Sequence, residues 1–196
     1  MPYYYSPFRK EYEANKSKSK PRDPKYPSLF CDPEIVEKQG VRDGEGKIVE
    51  NEYYFWMINW FPRAEGHTMI IPKRYVTAHE QEKPEEVLAR QELMVFAMDV
   101  MKKAFDTDGC EIYNQHGSMS WRSIDHLHWH LVPVNKEADL LKPSYLHHFE
   151  KLGIFATDES EETELRVKFP ITIEYAQEKL QKLLTETMQE WNLSLR

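Results

Sequence analysis

The sequence predicts an α+β domain with an antiparallel sheet, one main helix and a C-terminal helical extension. Three observations carry this prediction: strand-length apolar runs separated by turn residues, one long stretch of helical periodicity between the second and third runs, and an amphipathic stripe near the end of the chain. The first run, "YYFWMINW" at residues 53–60, is rich in strand formers and is closed by Phe61 and Pro62. After the polar turn "PRAEG", a second run, "HTMIIPK", at residues 67–73, pairs with it as a hairpin or closely connected strand pair. Pro84 suits a first helical turn, and Glu85 and Glu86 suit the positive end of its dipole. Leu88, Met94, Val95, Met98, Met101 and Phe105 then recur at helical spacing, with Gly109 beyond the end. "CEIYNQH" at 110–116 reads as a strand running into a polar loop, and the segment "HLHWHLVP" as the next strand. Near the end, Ala176, Leu180, Leu183, Leu184, Met188 and Trp191 form the stripe of a helix that must pack on this domain or on a partner subunit.

With 196 residues, of which 40% are apolar, the chain fits one domain with terminal extensions. The boundaries read as a basic, flexible arm at 1–27, a central domain at 28–136 and an extension at 137–196. "KPSYLHHFEKLGIF" reads as a short helix or loop, and "TDESEETE" as an acidic surface connection. No run approaches the roughly 18 apolar residues of a membrane span, and "MPYYYSPFRK" lacks the apolar core of a signal peptide. A cytoplasmic protein without a membrane partner is expected. The net charge of −7 argues against broad nucleic-acid affinity, but it is unevenly spread. Seven basic residues face three acidic ones in the first 25, a net +4, which leaves −11 for the rest. Nucleic acid is therefore not expected apart from contacts that this arm could make, and a solvated tail is its plainer reading. Cys31 and Cys110 lie outside any CxxC pattern and read as free thiols.

His126, His128 and His130 stand at alternate positions. On an extended chain they share one face, about 6.6 to 6.8 Å apart, while Leu127, Trp129 and Leu131 share the other. Three readings compete: ligands of an open catalytic metal site, structural imidazoles satisfied by buried hydrogen bonds, and a nucleophile flanked by two helpers. Upstream, "NQHGSMSWRS" supplies amides, hydroxyls, a glycine and Arg122. Such a loop of donors suits phosphate, whereas the guanidinium opposes a divalent cation. His79, His116, His147 and His148 read as surface residues without a role, and the methionines of the main helix as core.

These residues resemble the HIT family, the histidine triad nucleotide hydrolases and transferases, whose signature is His-x-His-x-His followed by apolar residues. "HLHWHLVP" fits that signature, and "GHTMIIP" at 66–72 is similar to the family's earlier Gly-His, hydrophobic strand and proline. The resemblance implies a HIT-like antiparallel sheet and a homodimer. It further implies a nucleotidyl-histidine mechanism in which His128 attacks the α-phosphorus of a nucleotide. The covalent intermediate then passes to water, inorganic phosphate or another acceptor. By the same resemblance His130 donates to a phosphate oxygen, and His126 and His67 brace the row. Gln115, Gly117, Arg122 and Ser123 meet the phosphate and Asn59 holds the ribose; proximity to Asn59 in sequence then places Ile58, Trp60 and Phe61 around the base. A dinucleoside polyphosphate or a nucleoside phosphoramidate would be the substrate, with no cofactor and no metal. A regulatory module with weak turnover and a metal-dependent hydrolase using the histidine row as ligands remain the alternatives.

The chain departs from the family where many relatives carry Ala-Gly-Gln-Ser, since Ser120, Trp121, Arg122 and Ser123 stand there. Trp121 replaces a glycine's freedom with bulk, and Arg122 puts a full charge where a neutral amide would sit. "LFC" around Cys31 is similar to the start of zinc-carrying relatives but lacks their second cysteine, so no structural zinc is expected.

Overall fold

A computed structural model describes residues 20–39, 46–60, 62, 66–107, 109–117, 122–133 and 173–191. Residues 1–19 of the arm, Phe61, Trp121 and the stretch containing "KPSYLHHFEKLGIF" and "TDESEETE" lie outside the described residues, as do His147 and His148.

Five strands form one antiparallel sheet in the order β1-β2-β3-β5-β4, with β1 at Lys47–Glu50, β2 at Tyr54–Ile58, β3 at Thr68–Pro72, β4 at Cys110–Asn114 and β5 at Trp129–Pro133. The expected hairpin is β2–β3, in register from Tyr54↔Pro72 to Ile58↔Thr68. Gly66 sits in its turn at φ 76°, and a Cβ there would lie 2.4 Å from the Phe105 ring, so both the backbone and the packing require glycine. Strand β1 was not expected. A register shift between Lys47 and Val49 puts Ile48 and Val49 both in the interior, which erases the alternation that marks a half-buried strand.

The main helix, α1, spans Pro84–Phe105. The Glu86 carboxylate accepts the Lys83 backbone N–H at 2.7 Å, and Asp106, at φ 47°, caps the other end, three residues before the expected Gly109. Its buried face is Leu93, Met94, Phe96, Ala97, Val100 and Met101, while Leu88 is 73% exposed and Val95 is also exposed. The first two turns are held by polar contacts instead: Arg74 donates to Glu86 at 2.9 and 2.7 Å, and Asn51 Nδ2 donates to the Ala89 carbonyl at 2.7 Å.

On one face of the sheet, Tyr54, Trp56, Ile58, Ile70, Trp129 and Leu131 pack against α1. The C-terminal helix, α2 at Ile173–Trp191, covers α1 with Leu180 and Leu184, sets Trp191 edge-on to Phe96 at 5.9 Å, and donates from Trp191 Nε1 to Asp99 at 2.8 Å. The expected stripe therefore packs on this domain. The other face carries Phe55, Met57, Met69 and Ile71 under a cover of Leu29, Phe30, Ile35 and Val36 from two short helical turns at Leu29–Cys31 and Glu34–Gln39. Among the described residues no helix is long and apolar enough to cross a membrane.

Candidate active site

The histidine row is not wholly a strand. Only His130 belongs to β5; His126 and His128 precede it, because the backbone around them bonds outside the sheet. Leu127 N donates to the Val76 carbonyl at 2.8 Å, and Asn114 Nδ2 donates to the His128 carbonyl at 2.5 Å. The chain nevertheless stays extended enough to send Leu127, Trp129 and Leu131 into the helix-side core and the imidazoles to the opposite face. His128 and His130 approach edge to face at 4.8 Å, closer than ideal strand spacing.

Each ring has a fixed setting. His126 is fully buried and donates from Nε2 to the carbonyls of Pro72 and Arg74, at 2.9 and 3.2 Å, while Cys31 Sγ lies 3.7 Å from its Nδ1. Burial pushes its pKa down to about 4, with a smaller contribution from the neighbouring His128. His128 donates from Nδ1 to the His126 carbonyl at 2.7 Å, which leaves the lone pair on Nε2. Burial lowers its pKa too, and the charge of Arg122 acts in the same direction, so the neutral ring is favoured. His67 Nε2 and His130 Nδ1 share a hydrogen bond of 2.9 Å. Asn59 Nδ2 lies 3.3 and 3.4 Å from the same two nitrogens and donates to whichever holds the lone pair. Tyr113, opposite His130 in the β4–β5 register, stacks on it at 4.5 Å.

The fold thus brings together Asn59, His67, His126, His128 and His130, which come from β2, β3 and β5 or the residues flanking them. The loop residues are less uniform. Gln115 is half-buried, Gly117 has φ 81° with open space around its missing Cβ, and Ser123 is exposed. Arg122, expected on a phosphate, donates from Nη1 to the Thr77 carbonyl at 2.6 Å, and its Nε lies 3.2 Å from Asp125. Its charge reaches the site as a field on His128.

Ile58 needs correction. Its side chain lies in the helix-side core, facing away from the imidazoles, because neighbours along a strand point to opposite faces and Asn59 takes the imidazole side. Trp60 is on the imidazole side and as buried as Phe30, the two rings lying 5.7 Å apart. Phe30 itself, quoted within "LFC" but given no role in the sequence reading, presents its ring to His126 and His128 at 5.8 and 5.7 Å. Tyr75 meets His126 edge-on at 5.3 Å. Tyr75 carries no local motif. Tyr113 could be placed only once the β4–β5 register was known. His79, read as a surface residue, is half-buried and bonded to Glu82 and Asn114. The described residues contain no cluster of three His, Cys, Asp or Glu side chains able to hold a metal ion.

Comparison with known proteins agrees with this geometry. A family model described as the HIT domain matches residues 43–137. The adenosine 5'-monophosphoramidase HNT1 of Saccharomyces cerevisiae is 33% identical over 113 residues, 55% of this chain and 67% of that protein. The adenylylsulfatase HINT3 of Arabidopsis thaliana is 27% identical over 95 residues, 48% of each chain. Among solved structures, a hypothetical histidine triad nucleotide-binding protein from Sulfolobus tokodaii strain7 superposes with a TM-score of 0.50 at 18% identity, covering 79% of this chain and 93% of that one, a likeness of fold.

Proposed function

The chain belongs to the HIT family, and from that premise we propose that it is a nucleotide hydrolase working through a covalent nucleotidyl-His128 intermediate. One observation carries the reading: the His128 Nδ1–H is committed to the His126 carbonyl, at 2.7 Å, on a ring that burial keeps neutral. Its Nε2 is then an uncharged nucleophile with no proton to lose. In the proposed step Nε2 forms a bond to the α-phosphorus as the bond to the leaving group breaks. Water then attacks the nucleotidyl-histidine and releases the monophosphate; inorganic phosphate in place of water would give the diphosphate. If His67 donates Nε2–H to His130 Nδ1, His130 keeps a proton on Nε2 to offer the phosphate oxygens. Arg122 helps to keep His128 uncharged, and Gln115, Gly117 and Ser123 supply donors along the same loop.

The ribose contact implied for Asn59 would fall to its carbonyl oxygen, since its amide nitrogen faces the two histidines. Phe30 takes the place of Ile58 as apolar surface for the base, backed by Trp60. The relatives named for phosphoramidate and adenylylsulfate cleavage support a small, single leaving group on a nucleoside monophosphate, alongside the dinucleoside polyphosphates. A homodimer is part of the same proposal, with β4 an edge strand of the sheet.

The test offers the full chain adenosine 5'-phosphoramidate, adenylylsulfate and a diadenosine polyphosphate in separate assays, with and without inorganic phosphate. Release of nucleoside monophosphate from at least one is expected. Failure to turn over any of them, with binding of the monophosphate retained, would favour a regulatory module instead.

A further inference from the structure

The segment between β3 and α1 offered no motif, yet it forms a wall against the triad. Val76 accepts from Leu127 N, Arg74 from His126 Nε2, and Thr77 from Arg122. His79, in the helical turn His79–Gln81, adds a connection of a different kind. Its Nδ1 lies 3.0 Å from Glu82 Oε2 and its Nε2 lies 3.0 Å from Asn114 Oδ1. Asn114 Nδ2 in turn donates to the His128 carbonyl. Two hydrogen bonds therefore separate the His79 ring from the peptide group of the nucleophile.

The direction of these bonds follows from the ends of the chain. A carbonyl only accepts, so the Asn114 amide must present Nδ2 to His128 and Oδ1 to His79. A carboxylate also only accepts. Both nitrogens of His79 therefore face acceptors, and the arrangement is satisfied only with a proton on each. The groups packed around the ring fit that state. Glu82 has a side chain 2% exposed and shares its negative charge with Arg90 Nε at 3.1 Å, while the Tyr54 hydroxyl donates to it at 2.6 Å. His116 stacks on His79 at 5.0 Å and stands 3.7 Å from Glu80, and Trp129 of β5, itself beneath Arg90, meets the ring edge-on at 5.2 Å.

We propose that His79 is a positioning residue for the reaction: as an imidazolium bridging Glu82 and Asn114, it fixes the peptide of His128 and with it the line along which Nε2 approaches phosphorus. This rests on the His128 reading of function. A neutral His79 would leave a lone pair against one of the two oxygens; with its remaining proton held on Nδ1 by the Glu82 carboxylate, that oxygen is Asn114 Oδ1, and the anchor of the His128 peptide loses its support. The chemistry does not pass through His79, so binding of the nucleotide is spared.

Two measurements test this. In the ¹⁵N-labelled full chain at about pH 7, NMR of the His79 ring should show both nitrogens protonated; a single tautomer with a lone pair on one nitrogen overturns the proposal, whatever the activity. In kinetics, His79→Gln should lower kcat by about tenfold while KM stays within about twofold, since misplacement acts on the reacting geometry and not on uniform binding. Wild-type kcat in that variant, or a loss confined to KM, also overturns it. If His128→Ala turns over normally, the functional reading fails instead, and the NMR result still reports on the His79 bridge.

Discussion

Replacing His128 with alanine is expected to lower kcat/KM by at least about 10⁴-fold, a loss of about 5.5 kcal/mol in transition-state stabilisation, while a nucleoside monophosphate still binds. The size follows from what is removed. Neighbouring groups orient and stabilise charge, but among the described histidines only His128 combines a lone pair on Nε2 with an Nδ1 proton tied to a carbonyl. The His126 ring cannot substitute, because its Nε2 is turned to the Pro72 and Arg74 carbonyls. His130 is paired with His67. Steady-state turnover of the phosphoramidate by purified His128→Ala checks this directly. Activity within tenfold of wild type would mean that another group attacks, and activity abolished by a chelator would revive the metal reading.

The second large effect is on stability. His126 titrates near 4 in the folded chain because burial opposes its charged form, against about 6.5 when unfolded. Its folded pKa is depressed, so between these values the unfolded state binds the extra proton. The contribution to stability is complete above about pH 6.5 and is lost as pH falls below it, levelling off near 4. For His126 alone the loss by about pH 5 is about 2 kcal/mol, and His128, shifted in the same direction by burial, adds to it. Denaturant titrations at a series of pH values between about 7 and 5 should show this decline, in a window above the range where ordinary carboxylates titrate. The decline should shrink in His126→Gln, and a stability flat across that window would contradict the buried, neutral state of His126 and His128.

The parts of the molecule that were legible in the sequence share a property: their signal is local. Residues 54–58 and 68–72 are continuous apolar runs bounded by turn residues, and Pro84 with two glutamates marks a helix start. The spacing of His126, His128 and His130 put three rings on one face even though two of them lie outside the strand. What escaped depends on partners remote in sequence. β1 pairs through a bulge that breaks its alternation, and α1 buries the face that α2 and the sheet select rather than the one its first turns suggest. Ile58 was misplaced through proximity to Asn59, although adjacent residues on a strand are the two least able to share a surface. Phe30 and Tyr113 approach the imidazoles, and His79 the Asn114 amide that holds the His128 carbonyl, from three separate segments, and no short motif encodes such convergence.

The central claim is a bond between His128 Nε2 and a nucleotide's α-phosphorus. Acid-free rapid quenching of the enzyme during turnover, followed by proteolysis and mass spectrometry, reads it out. The account predicts a nucleoside monophosphoryl group on the peptide containing His128, formed and lost fast enough to support turnover. Turnover that proceeds with no such adduct, or with the group on a different residue, would contradict it.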